Sequence, residues 1–101
     1  MTGYKPPASR GKADSNQAEI VKGLREMGHT VEPLSAVGKG VPDLLVGVRS
    51  KPFNVNILME VKTGTCKMRE NQVSWHRRWQ GQCCVVRSLE DAVKVIQAIA
   101  G

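Results

Sequence analysis

Aromatic residues are scarce: two Trp, one Tyr and one Phe make up 4% of the 101-residue chain. That scarcity argues against the aromatic-and-basic sheet surface on which single-strand binding domains stack successive bases. Cysteine is also sparse and odd in number, with three in all, and Cys83 and Cys84 are adjacent and poorly placed to bridge each other. A disulfide framework is therefore not expected, and a reducing, cytoplasmic compartment is. Cys66, His76 and Cys83 lack the paired spacing of a zinc site. No window approaches the roughly 20 apolar residues of a membrane-spanning helix. The opening residues, MTGYKPPASRGK, lack the apolar stretch of a signal peptide. Neither a membrane partner nor secretion is expected.

Acidic residues are in short supply as well, with 9 Asp plus Glu against 15 Lys plus Arg, a formal net charge of +6. The excess is localised. Residues 1–14 carry Lys5, Arg10 and Lys12 against Asp14, and residues 62–78 carry Lys62, Lys67, Arg69, Arg77 and Arg78 against Glu70, whereas the remaining segments balance. Basic patches of this kind suit a polyanion such as nucleic acid, although a solvated helix face and a soluble tail would look the same. The composition otherwise, 41% hydrophobic and 24% charged, is that of one globular domain.

Residues 1–13, rich in Gly, Pro, Lys and Ser, read as a flexible basic arm, with the folded domain spanning 14–101. Ala18, Ile20, Val21, Leu24 and Met27 recur at helical spacing and predict a helix over 15–27 that stops at Gly28. His29 to Glu32 predicts a short strand, and Leu44 to Val46 a buried one entered from Pro42-Asp43. In the longer strand Asn54 to Lys62, Val55, Ile57, Met59 and Val61 share an apolar face while Glu60 and Lys62 share the other. A second helix is predicted over 70–80, with Gln72, Trp75 and Trp79 on one stripe, then a strand over 83–86. Ser88-Leu89-Glu90-Asp91 has capping-box form and opens a last helix. The order αβββαβα predicts a mixed α/β domain around one sheet.

A carboxylate and an ammonium end an otherwise apolar strand at Glu60 and Lys62, about 6.6 Å apart along one face. If the neighbouring strand brings Asp43 beside Glu60, the two carboxylates can share a hard cation such as Mg²⁺ or Mn²⁺, with Lys62 beside the bound water. Glu-x-Lys alone is better explained by a surface cross-strand pair, since three residues recur by chance.

The combination is more specific. Val41-Pro42-Asp43-Leu44-Leu45-Val46-Gly47, then Ile57-Leu58-Met59-Glu60-Val61-Lys62-Thr63-Gly64, then Gln72 with Trp75, resembles the PD-(D/E)XK nuclease superfamily, and within it a minimal stand-alone, phage-type VRR-NUC domain. The resemblance runs from about residue 16 to 97. It implies a restriction-endonuclease-like αβββαβ core around a central mixed sheet, with a C-terminal helix. It also implies a Mg²⁺- or Mn²⁺-dependent endodeoxyribonuclease with no organic cofactor, acting as a homodimer on branched DNA such as Holliday junctions, in the host cytoplasm if phage-encoded. Asp43 and Glu60 become metal ligands with the carbonyl of Val61, Lys62 the catalytic lysine, Glu19 the acidic residue of the first helix, and Gln72 the glutamine after the lysine motif. Gly23, one turn after Glu19, would leave room beside it. Lys39, Lys67, Arg69, Arg77 and Arg78 are expected on the nucleic acid, Trp75 and Trp79 in the core or a dimer interface, and His29 and His76 away from the chemistry. The alternative is a catalytically silent DNA-binding module that keeps the nuclease-like fold.

Overall fold

The computed structural model describes residues 8–100. In chain order they form α1 (Ala8–Glu26), β1 (Thr30–Pro33), β2 (Leu44–Val48), β3 (Val55–Val61), α2 (Glu70–Arg78), β4 (Cys83–Val86) and α3 (Leu89–Ala100). The strands form one sheet in the order β1-β2-β3-β4. β1 to β3 make an antiparallel meander, and β4 returns parallel to β3 after α2. The sheet is thus mixed, around the αβββαβ core with its final helix.

α1 starts at Ala8 rather than Ser15, so half of the expected flexible arm is helical, and residues 1–7 lie outside the described residues. Hydrophobic periodicity marks a packed stripe, and residues 8–14 carry none to read. The helix ends as expected at Gly28. There the glycine adopts φ +96°, its N–H donates to the Arg25 carbonyl at 3.0 Å, and the His29 N–H reaches back to Leu24 at 3.0 Å. These are the two bonds of a Schellman cap, which asks for a left-handed residue at that position.

Strand alternation sorts the sheet into two faces. On one face Val31, Val46 and Ile57 lie in register, as do Leu44 and Met59, and these pack with Ile20 and Leu24 of α1 and Ala92 and Ile96 of α3. The space beside Gly23 is taken by Leu89 rather than left for Glu19: a Cβ there would collide with the leucine side chain. α3 opens on Ser88, whose Oγ accepts from the Asp91 N–H at 3.0 Å, while the Asp91 carboxylate accepts from the Arg87 N–H at 2.9 Å.

The second face carries the row Glu32, Leu45, Leu58 and Cys83, with Glu60 beyond Leu58. α2 lies on this side. His76 Nδ1 stands 3.6 Å from the Cys83 Sγ, and Gln72 reaches Glu60. The helix has no fully buried residue and stops at Arg78, short of the expected Gln80. Trp75 and Trp79 stack with centroids 4.8 Å apart, but Trp79 is 48% exposed and Trp75 only half-buried, so neither belongs to the core. Trp79, the residue that caps the end of α2, donates its N–H to the Trp75 carbonyl and stacks one turn beyond it, on a helix that rides above the sheet rather than inside it.

Candidate active site

The antiparallel register Leu44↔Met59 sets the residue before β2, Asp43, beside Glu60 near the end of β3. Asp43 is anchored there by its own carboxylate, whose Oδ2 accepts the Val61 N–H at 2.8 Å. Glu60 is 1% exposed and is the one buried polar or charged residue among those described. Its Oε2 accepts from Gln72 Nε2 at 3.0 Å and lies 3.7 Å from Lys62 Nζ. Glu60 and Lys62, two apart on one strand face, therefore form a direct ion pair instead of standing apart. The other oxygen, Oε1, is buried with no hydrogen-bond partner. A buried carboxylate oxygen without a partner is unfavourable by about 1–3 kcal/mol or more unless something outside the chain binds it.

Burial raises the Glu60 carboxyl from the usual 4.5 to about 7, and the negative charge of neighbouring Asp43 pushes the same way, against the lowering pull of Lys62. Two carboxylates this close do not both ionise readily without a cation. Among the described residues no three His, Cys, Asp or Glu side chains gather in one place. A cation here would rest on Asp43, Glu60 and a main-chain carbonyl, for which Val61 lines the same cleft. The donor set is all oxygen, as Mg²⁺ and Mn²⁺ prefer, and the unpartnered Oε1 gives it a free ligand.

The cleft holds about 320 Å³ and is also lined by Gln17, Lys39, Arg69, Asn71 and Gln72. Gln72 is a double anchor. Its Oε1 accepts the Arg69 N–H at 2.8 Å, closing the first turn of α2, while its amide holds Glu60. The loop opposite arrives through three residues of positive φ, Gly38 (+67°), Lys39 (+58°) and Gly40 (+82°). A side chain at Gly40 would run into the Asn71 carbonyl, so glycine lets the loop touch the start of α2 and sets Lys39 at the cleft.

Asp43, Glu60, Val61, Lys62, Gln72, Lys39 and Arg69 thus meet in one place. Glu19 does not: it is exposed and off the cleft, whereas Gln17 of the same helix lines it. Two residues along a helix turn the side chain by about 200°, so both cannot face one cleft. Gln17 precedes Ile20 and Val21 by a turn, and that spacing to the buried stripe was the available signal. Lys67, Arg77 and Arg78 are exposed and lie outside the cleft lining.

Asn16 was not foreseen. Its Nδ2 donates to the Lys62 carbonyl at 3.1 Å and to the Arg87 carbonyl at 3.3 Å, and the Lys62 N–H donates to Val86 at 3.0 Å, so the lysine's backbone is held on both sides. Burial lowers His76 and raises Cys83, leaving that thiol–imidazole pair neutral and unsuited to nucleophilic work.

No family model matches the chain, and no curated protein matches its sequence. A solved structure described as a VRR_NUC domain is 30% identical, and the match covers 85% of this chain and 95% of that one with a TM-score of 0.66. At that identity and over that much of both chains, the chain belongs to the VRR_NUC domain family and is a nuclease-like domain.

Proposed function

We propose that this protein is a metal-dependent endodeoxyribonuclease that hydrolyses phosphodiester bonds in branched DNA such as Holliday junctions, and that it acts as a homodimer. The observation that carries the reading is the buried, unpartnered Oε1 of Glu60 beside Asp43, a carboxylate pair that wants a cation. Asp43, Glu60 and the Val61 carbonyl would hold Mg²⁺ or Mn²⁺. When bound, such a cation would polarise the scissile phosphate and acidify a water.

The chain's own groups do the remainder. The Lys62 ammonium, fixed 3.7 Å from Glu60, orients the attacking water and offsets charge gathering on the phosphate oxygens. The water gives up a proton to solvent as its oxygen bonds to phosphorus and the bond to one deoxyribose oxygen breaks, and that oxygen leaves with a proton from solvent. Gln72 keeps Glu60 turned toward the cleft, and Lys39 and Arg69 hold the flanking backbone without reading sequence. A symmetric dimer would set two such clefts against paired strands of one junction. The exposed Trp79, stacked on Trp75, supports a surface that a second copy covers.

Labelled four-way junction, flap and plain duplex incubated with the protein in Mg²⁺ or Mn²⁺ supply the test. Cleavage is expected to favour the branched substrates and to fall by about 100-fold or more in Lys62→Ala and Glu60→Ala. Cleavage undiminished in both variants would overturn the site. Tight DNA binding by the wild type with no cleavage and no Mn²⁺ uptake in calorimetry would make it a silent binding module.

A further inference from the structure

At the end of the β2–β3 hairpin farthest from the cleft lies a second feature. Between Asp43 and Glu60 the chain carries just two charged residues, Arg49 and Lys51, and both are exposed at the hairpin tip, residues 49–54. Beside them Phe53 is 77% exposed, more than Trp79, Met27 or Val37. The chain has a single phenylalanine, and it stands in solvent. The Ser50 N–H donates to Asn54 Oδ1 at 3.3 Å, which closes the turn and leaves the Asn54 amide free to donate outward. A hollow of about 480 Å³ adjoins the tip, lined by Arg49, Ser50, Lys51, Asn54 and Ala100. Four of these five offer hydrogen-bond donors, and no carboxylate side chain lines the hollow.

We propose that this tip is a second DNA contact: Arg49 and Lys51 hold backbone phosphates, and Phe53 stacks on a base left unpaired at a branch. The proposal rests on the nuclease reading above and deepens it by naming what distinguishes a branched substrate from a duplex. Charge complementarity favours DNA over a second copy, because two-fold pairing through Phe53 would press one Arg49–Lys51 pair against another. An aromatic ring stacks on any base, so the contact needs no sequence. The tip stands at least a strand's length from the cleft. From Asp43 to Val48 the strand advances about 17 Å, at ~3.4 Å per residue. That equals about five steps along one DNA strand, at ~3.4 Å per nucleotide.

The test is fluorescence anisotropy of the full chain on a four-way junction and a duplex of equal length, in EDTA to prevent cleavage, across a salt series. Arg49→Ser/Lys51→Ser is expected to weaken binding to both and to reduce the slope of log K against log salt by about 2. Phe53→Ala is expected to weaken the junction about tenfold while sparing the duplex, and to abolish quenching of 2-aminopurine placed unpaired at the branch. Melting curves check that each surface variant is folded. Both variants binding every DNA like wild type would overturn the tip while leaving the nuclease reading intact, since cleavage in Mg²⁺ is scored separately. Phe53→Ala turning a dimer into a monomer in sedimentation, with junction affinity unchanged, would assign the tip to self-association and overturn the proposal. A wild type that binds no DNA at all would overturn both readings.

Discussion

Glu60 shows how one side chain can be unfavourable for the fold and useful to the site. Its neighbours hold Oε2 and nothing holds Oε1, inside a sheet that buries the group almost completely. With its carboxyl raised from 4.5 to about 7, the metal-free folded chain keeps a proton there that the unfolded chain has already lost. Stability from that neutral carboxyl is full below the unfolded value and is lost as pH rises through about 7. The metal-free protein is therefore expected to lose on the order of 2 kcal/mol between pH 5 and 8, read as a falling melting temperature. Glu60→Gln should flatten that slope, and an unchanged slope would place the titration elsewhere. The residue stands out in the sequence because an apolar strand has no packing reason to end in Glu and Lys. Its ion pair with Lys62 was not, since side-chain reach is invisible in strand spacing. Glu19 was misplaced for a related reason: an acidic residue on a helix says nothing about direction until the buried stripe of Ile20 and Leu24 fixes the rotation.

At the level of elements, α2 is the part whose role the sequence least disclosed. Its start was plain, but its bareness was not: a nine-residue helix with no fully buried side chain gains little from packing. Other contacts must hold its first turn over the cleft. Gln72 bonds both the Arg69 N–H and Glu60, and Gly40 brings the loop between β1 and β2 into contact with Asn71. The Gly38–Gly40 loop could be read as glycine-bearing, yet which glycine touches α2 depends on tertiary approach. Gly40→Ala combines a left-handed backbone with a Cβ directed at a carbonyl. It is expected to destabilise by about 2 kcal/mol, measured by urea unfolding. Because the same contact positions Gln72 and Lys39, metal affinity should fall with it, while Gly28→Ala, where no atom approaches, should affect stability alone. Equal metal affinity in both variants would separate the loop from the site.

Across the whole molecule, the four strands follow chain order in the sheet, and local patterns plus short turns made most of that arrangement readable. The parallel pairing of β4 on β3 was harder, because it joins segments separated by α2 and rests on long-range register. That pairing bears on the proposed site: it closes the sheet beside Lys62, whose N–H is held by Val86 and whose carbonyl is held by Asn16. One end of the fold thus gathers its scarce acids, Asp43 and Glu60, into a chain with a net charge of +6. A divalent cation held there would relieve their mutual repulsion and bind the folded chain in preference to the unfolded one. Linkage then makes melting temperature a measure of occupancy. At Mn²⁺ about 100-fold above its Kd, the gain of ~2.7 kcal/mol should raise the melting temperature by on the order of 10 °C for a domain of this size. The rise should be larger at pH 8 than at pH 6, because Glu60 must give up its proton before it can serve as a ligand. Asp43→Asn/Glu60→Gln should show no rise at either pH. An equal rise in that variant would move the cation away from the strand ends, and no rise in the wild type would remove the metal from the proposal.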